Sequence, residues 1–210
     1  MLRALLLGPL LVSGLAAQVA PERSATRDEK QVVLEMSKAR LHPRELARWL
    51  ETQLAYFDGK QWNLPDRIPL RTEEGAAALE ELIAFLKGSP LDLGPLRWSE
   101  GLARAARQLV QEQGPTGQTG HRGPGGSTLQ SRALKQGLFQ SQLGEVINYG
   151  PEPPRWIVVQ LLIDDGVPGR PHRNAIFSPG FHAAGAAIGA HGAYGEMTVV
   201  DLADAFVENP

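Results

Sequence analysis

Leu46, Trp49, Leu50, Leu54 and Phe57 recur three to four positions apart behind Pro43, an apolar stripe on an otherwise charged stretch. That spacing predicts one amphipathic helix within residues 23–59. Between residues 59 and 71, Pro65 and Pro69 interrupt any period, so this segment reads as a connector whose length places the first helix outside the main core. Thr72 followed by Glu73 and Glu74 opens a second helix, with Leu79, Leu82, Ile83 and Leu86 at i, i+3, i+4 and i+7 before Gly88 stops it. A third begins near Ser99, carries Leu102, Ala106, Leu109 and Val110 on one face, and ends at Gly114 and Pro115. Its Ala105 and Ala106 are small enough to let it approach a sheet closely. Pro153 and Pro154 set the first turn of another helix, which buries Ile157, Val158, Leu161 and Leu162 and stops at Asp164-Asp165-Gly166. From His182 to Phe206, β-branched and small residues alternate around Gly185, Gly189, Gly192 and Gly195, predicting two strands joined by a turn near residues 192–195. Helices followed by an antiparallel hairpin spell an α+β fold.

Glycine stands at every third position from Gly114 to Gly126. Five triplets between helices are too few for a triple helix and lack its steady proline content, so the segment reads as a long surface loop, mobile or shaped around something. At the other end, Met1-Leu2-Arg3, the apolar run from Ala4 to Val12 and the small residues through Ala20 make a charged start, a short greasy core and a cleavage zone. Residues 1–20 are thus expected to be a signal peptide, giving a secreted or periplasmic protein with no transmembrane anchor.

Composition narrows the chemistry. A net charge of -2 leaves no basic excess for phosphates, so nucleic acid is not an expected partner. With no cysteine among 210 residues, disulfides, thiolate metal sites and cysteine nucleophiles drop out. Hydrophobic residues make up 42% of the chain, enough for a real core in one domain with an extension.

The short signatures of zinc peptidases, serine hydrolases, phosphate loops, dinucleotide folds and EF-hands do not occur. Any site is assembled from distant segments. Among the five histidines, His121 and His172 fall in loops, where a side chain is freer to face a ligand. Glu145 and the pair Asp164-Asp165 are the acids that draw notice. Two aspartates at a helix C-terminus face the negative end of the helix dipole, so a positive group is expected beside them. Arg170, His172 and Arg173 follow, either as an ion-pair cluster pinning the loop or as part of a ligand site.

Ordered blocks carry a resemblance. Pro95-Leu96-Arg97-Trp98-Ser99 with Leu102-Ala103-Arg104-Ala105-Ala106 resembles the opening helix of the CAP family, the cysteine-rich secretory, antigen five and pathogenesis-related proteins. Gly120-His121 through Ser127 and Arg132 is similar to that family's first histidine segment, and Gly144-Glu145-Val146-Ile147 to its "GEN" turn. Ile163-Asp164-Asp165-Gly166-Val167 and Arg170-Pro171-His172-Arg173-Asn174 resemble the "DDGV…RGHR" blocks of its bacterial, cysteine-free members. Val146, Gly125 and Pro171 depart from the pattern, where Asn, Asp and Gly are usual.

The resemblance implies a three-layer α-β-α sandwich over residues 72–207, with residues 21–71 as a helical extension and connector. It also implies a cavity holding His121, Glu145, Asp165 and His172, with His121 and His172 as ligands of a divalent metal such as zinc. Its implied partners are a small polar or lipid ligand or a cell-surface component. Three roles stay open: a non-enzymatic binding module, a metal-assisted hydrolase with Glu145 as base, and a buried polar network that only fixes loops.

Overall fold

The structure is a computed structural model that describes residues 25–90 and 93–209; the expected signal peptide lies outside the described residues. The chain runs through α1 (Arg27–Leu41), α2 (Pro43–Gln53), a 3-10 turn (Leu54–Tyr56), and the short strands β1 (Phe57–Asp58), β2 (Gln61–Trp62) and β3 (Leu70–Arg71). Next come α3 (Ala76–Gly88), β4 (Arg97–Trp98), α4 (Glu100–Gln113), a 3-10 turn (Gly114–Thr116), α5 (Leu129–Gln136), β5 (Gly137–Phe139) and β6 (Leu143–Tyr149). Helices α6 (Pro154–Ile163) and α7 (Pro171–Ile176) precede β7 (Ala183–His191), β8 (Gly195–Ala203) and β9 (Phe206–Glu208).

Where one helix was expected over residues 23–59 there are two. His42 closes α1 and Pro43 occupies the first turn of α2, since proline has no N–H to continue the ladder but suits a helix start. Thr26 and Glu29 form a reciprocal capping box on α1, and the Ser99 hydroxyl accepts the Leu102 N–H at the start of α4.

The main sheet has the order β4-β7-β8-β6, with the expected hairpin β7-β8 at its centre. Strand β6 pairs antiparallel to β8, setting Glu145 opposite Asp201 and Asn148 opposite Thr198. Strand alternation sends Val146, Ala184, Ala186, Val200 and Leu202 into one core with Val32, Val33, Met36, Ile157 and Leu162 from α1 and α6. On the other face Ile147, Ala187, Met197 and Val199 pack with Ala106, Leu109 and Val110 of α4. Helices therefore cover both faces, and the fold is an α+β three-layer sandwich. Gly185 sets how close α4 lies: a Cβ there would stand 2.1 Å from the Ala103 nitrogen.

The N-terminal helices do not dock outside the core. Val32, Val33, Met36, Ala39, Ala47, Leu50 and Trp62 share one apolar cluster with α3, α6 and the sheet. Arg40 is fully buried and gives five hydrogen bonds to carbonyls: Leu93, Gly94, Ile176, Ser178 and Phe181, at 2.8 to 3.0 Å. Beyond the short β4, Glu29 Oε1 accepts the Ile188 N–H of β7 at 3.1 Å, which covers an edge that would otherwise be open.

The glycine-rich loop is shaped rather than loose. Gln113 Nε2 donates to the Gly120 and Arg122 carbonyls at 2.7 and 2.9 Å, and the Tyr149 hydroxyl accepts the Gly120 N–H at 2.8 Å. Because His191 Nδ1 accepts the Tyr194 N–H, its Nε2 carries the proton and donates to the Gln118 carbonyl at 2.9 Å.

Candidate functional site

His121 leaves that loop half exposed, with Nδ1 2.8 Å from Glu145 Oε1. Glu145 Oε2 accepts from Arg132 Nη2 at 2.5 Å, and both of these side chains are buried. Beside them Asp201, fully buried on β8, has no donor for either oxygen as a carboxylate. Burial and the neighbouring Glu145 charge push its acid well above the usual aspartate range, against the pull of Arg132. Sequence reasoning missed Asp201; a lone acid in the apolar run Thr198-Val199-Val200-Asp201-Leu202-Ala203 was the available signal.

The second imidazole sits in the first turn of α7. His172 Nδ1 lies 2.7 Å from Asp164 Oδ1, and its backbone N–H donates to Asp164 Oδ2 at 2.8 Å. Asp164 reaches back because it ends α6 in the left-handed conformation, φ 55°. Asp165 points elsewhere: its carboxylate accepts the N–H groups of Glu73 and Glu74 at 2.6 and 3.0 Å, ahead of α3. The structure thus puts Asp164, rather than Asp165, against the His172 ring.

The positive groups expected at this helix end are present. Arg173 donates to the Leu162 and Ile163 carbonyls at 2.6 and 3.3 Å, and Arg170 to that of Asp164 at 2.7 Å. Arg170 also bridges Glu74 and Glu81, and this contact lowers the Glu74 acid to about 2.

A cavity of about 300 Å³ opens beside His172, with Asp164, Asp165, Asn148, Tyr149, Phe57 and Trp62 among its walls. His121 and Glu145 are not part of that lining. Tyr149 links the two places, since it lines the cavity while its hydroxyl holds the backbone next to His121. Neither imidazole Nε2 has a hydrogen-bond partner among the described residues. A four-coordinate zinc would need ligands at about 2 Å from several of these groups. Among the described residues no group of three or more His, Asp and Glu is gathered to hold a metal ion. The described residues do not form a complete metal centre.

The sandwich of helices around a hairpin-centred sheet thus carries two imidazoles, each anchored by a carboxylate. Residues 70–202 match the family model described as CAP, cysteine-rich secretory protein family, and the chain belongs to that family. Similar solved structures include an outer surface protein of Borrelia burgdorferi, 19% identical with a TM-score of 0.46, covering 59% of this chain and 86% of that one. An extracellular protein containing a SCP domain from Bacillus anthracis str. Ames is 18% identical, TM-score 0.41, over 59% of this chain and 39% of that one. A cysteine-rich secretory protein of Staphylococcus aureus subsp. aureus Mu50 is 14% identical, TM-score 0.39, over 67% and 44%. This chain therefore spans less than half the length of the last two. No curated protein matches it.

Proposed function

We propose that this chain is an exported CAP-domain binding module that holds a small ligand at the cavity beside His172, without catalysing a reaction. The observation that carries the reading is the pairing of His172 with Asp164 at the wall of a largely formed cavity, which leaves Nε2 to meet a ligand. Glu145 is poorly suited to act as a base, because both its oxygens are engaged, by His121 and Arg132. Export rests on the leader pattern in residues 1–20, and no helix among the described residues is long and apolar enough to cross a membrane.

A divalent metal at His121 and His172 is the second reading. Imidazoles oriented by carboxylates favour it, as such pairs commonly support metal ligands. The lack of a gathered third ligand among the described residues counts against it. Native mass spectrometry of protein recovered from the exported fraction of its host tests both. The expected result is a chain starting between Ala17 and Pro21 with a small organic molecule bound and no stoichiometric metal. A bare chain retaining Met1 contradicts the proposal, and one zinc per chain lost on replacing both histidines by alanine supports the metal reading instead.

A further inference from the structure

We infer that the N-terminal helices and α6 build a second binding site, separate from the cavity beside His172, for a free α-amino acid with an apolar side chain. A cavity of about 350 Å³ lies where α1, α2 and α6 meet, within the size range of small-ligand sites. It shares no lining residue with the cavity beside His172. Helices α1 and α2 lie ahead of residue 70, where the CAP match begins, so two of its three walls belong to this chain's own extension.

Helical period makes those walls. Glu35, Lys38, Ala39 and His42 fall at i, i+3, i+4 and i+7 along α1 and its cap, and Arg155, Val158 and Val159 at i, i+3 and i+4 on α6. The break at Pro43 turns the chain and brings Glu45 and Leu46, from the first turn of α2, to the same space. Ala39, Val158 and Val159 are buried and Leu46 is partly so, which gives the cavity an apolar floor.

Two cations and two acids stand around that floor. Arg155 holds its guanidinium carbon 3.7 Å from the centroid of the Trp49 ring and has no ion pair among the described residues. Stacking uses the flat face and leaves the N–H edge, whose fork matches a carboxylate. Trp49 in turn rests on Trp156, ring centroids 5.2 Å apart, so this arginine is placed before a ligand arrives. Glu45 also has no ion pair among the described residues. The Glu35 side chain is 14% exposed; its Oε1 accepts from Gln31 and Lys38, each at 2.7 Å, while Oε2 has no partner among the described residues. Free carboxylate oxygens suit an ammonium group. With His42 counted neutral, Glu35 and Glu45 cancel Lys38 and Arg155. A simple anion or cation would meet as many like charges as opposite ones, whereas a zwitterion can set each of its charges against an opposite one. The apolar floor asks for a hydrocarbon side chain, and the modest volume suits one amino acid rather than a longer peptide.

The experiment titrates the exported protein, dialysed free of small molecules, with L-leucine, 3-methylbutylamine, 4-methylpentanoate and glycine at pH 8, followed by calorimetry and tryptophan fluorescence. Leucine should bind at least about tenfold more tightly than 3-methylbutylamine, which lacks the carboxylate, and than 4-methylpentanoate, which lacks the ammonium. Glycine, without the side chain, should be weaker by about tenfold or more. Arg155→Gln should weaken leucine about tenfold and remove its advantage over 3-methylbutylamine; Glu45→Gln should weaken leucine and reduce its advantage over 4-methylpentanoate. Both positions are exposed, and thermal melts check that the variants fold. No leucine binding at millimolar concentration, equal binding of either singly charged analogue, or leucine binding untouched by both variants overturns the site. Leucine binding that survives Arg155→Gln but not His172→Ala puts the amino acid in the cavity beside His172 and overturns it as well.

Discussion

Removing the Arg40 side chain should unfold the link between the N-terminal helices and the rest of the molecule. The guanidinium is fully buried, forms no ion pair among the described residues, and satisfies five carbonyls from three separate stretches, residues 93–94, 176–178 and 181. Hydrogen bonds to a charged donor are worth about 1.5–3 kcal/mol each, but a naive total would rival the whole stability of a domain, about 5–15 kcal/mol. Two effects reduce it. Burial of the charge itself is costly, as the lowered Arg40 pKa reflects, and water entering the vacated space satisfies some carbonyls. A loss of about 3–5 kcal/mol for Arg40→Ala is therefore expected, at the upper end for a single substitution. Urea unfolding followed by tryptophan fluorescence measures it; at a slope near 2 kcal/mol/M the midpoint should fall by roughly 2 M. Arg40→Met, which keeps volume but no donors, should lose nearly as much. If both variants stay within about 1 kcal/mol of the parent, the five bonds do not join the extension to the domain and the argument fails.

Two pH-dependent effects follow from the shifted acids, one buried and one exposed. Because the folded Asp201 acid lies above its unfolded value, the folded chain holds the extra proton, and stability contributed there is lost as pH rises through the folded value. Asp201→Asn should therefore flatten the fall in melting temperature above pH 4 and raise it at pH 7; a lower melting temperature at pH 7 with unchanged slope would contradict the raised Asp201 acid. Glu74 works in the opposite sense. Lowered to about 2 by Arg170, it stabilises above the ordinary value of 4.5, and the contribution disappears as pH falls from there toward 2. Since Glu74 is over one-third exposed, Glu74→Gln should cost about 1 kcal/mol or less at pH 7 and nothing near pH 2, read from urea midpoints at both pH values.

The elements legible in the sequence were those whose burial has a period. Leu79, Leu82, Ile83 and Leu86 wrote α3, the Pro153-Pro154 start wrote α6, and the glycines of residues 185–195 wrote the hairpin. Strand β6 escaped because Leu143-Gly144-Glu145-Val146-Ile147-Asn148-Tyr149 puts polar residues on both faces, as an edge strand flanking a cavity does. The Pro43 break was visible but read as the start of a stripe rather than the junction of two helices. For the site, His121, Glu145 and His172 came from the family pattern. The choice between Asp164 and Asp165 hung on a left-handed turn that puts one carboxylate under the imidazole and turns the next toward α3. Arg40 and Arg132, both fully buried, look in sequence like any surface arginine; only their carbonyl and carboxylate partners from distant segments explain the burial.

The central claim is that a small ligand sits in the cavity beside His172. Backbone and indole ¹H–¹⁵N spectra of the protein as recovered from its host, compared with those of the same protein unfolded, freed of small molecules and refolded, test it most directly. The account expects shifts concentrated at Trp62 Nε1, Leu70, Ile147 to Tyr149, Gln160 and His172, with the α4 and α5 signals still. Shifts centred on α4 and α5, or spread evenly over the surface, would contradict it.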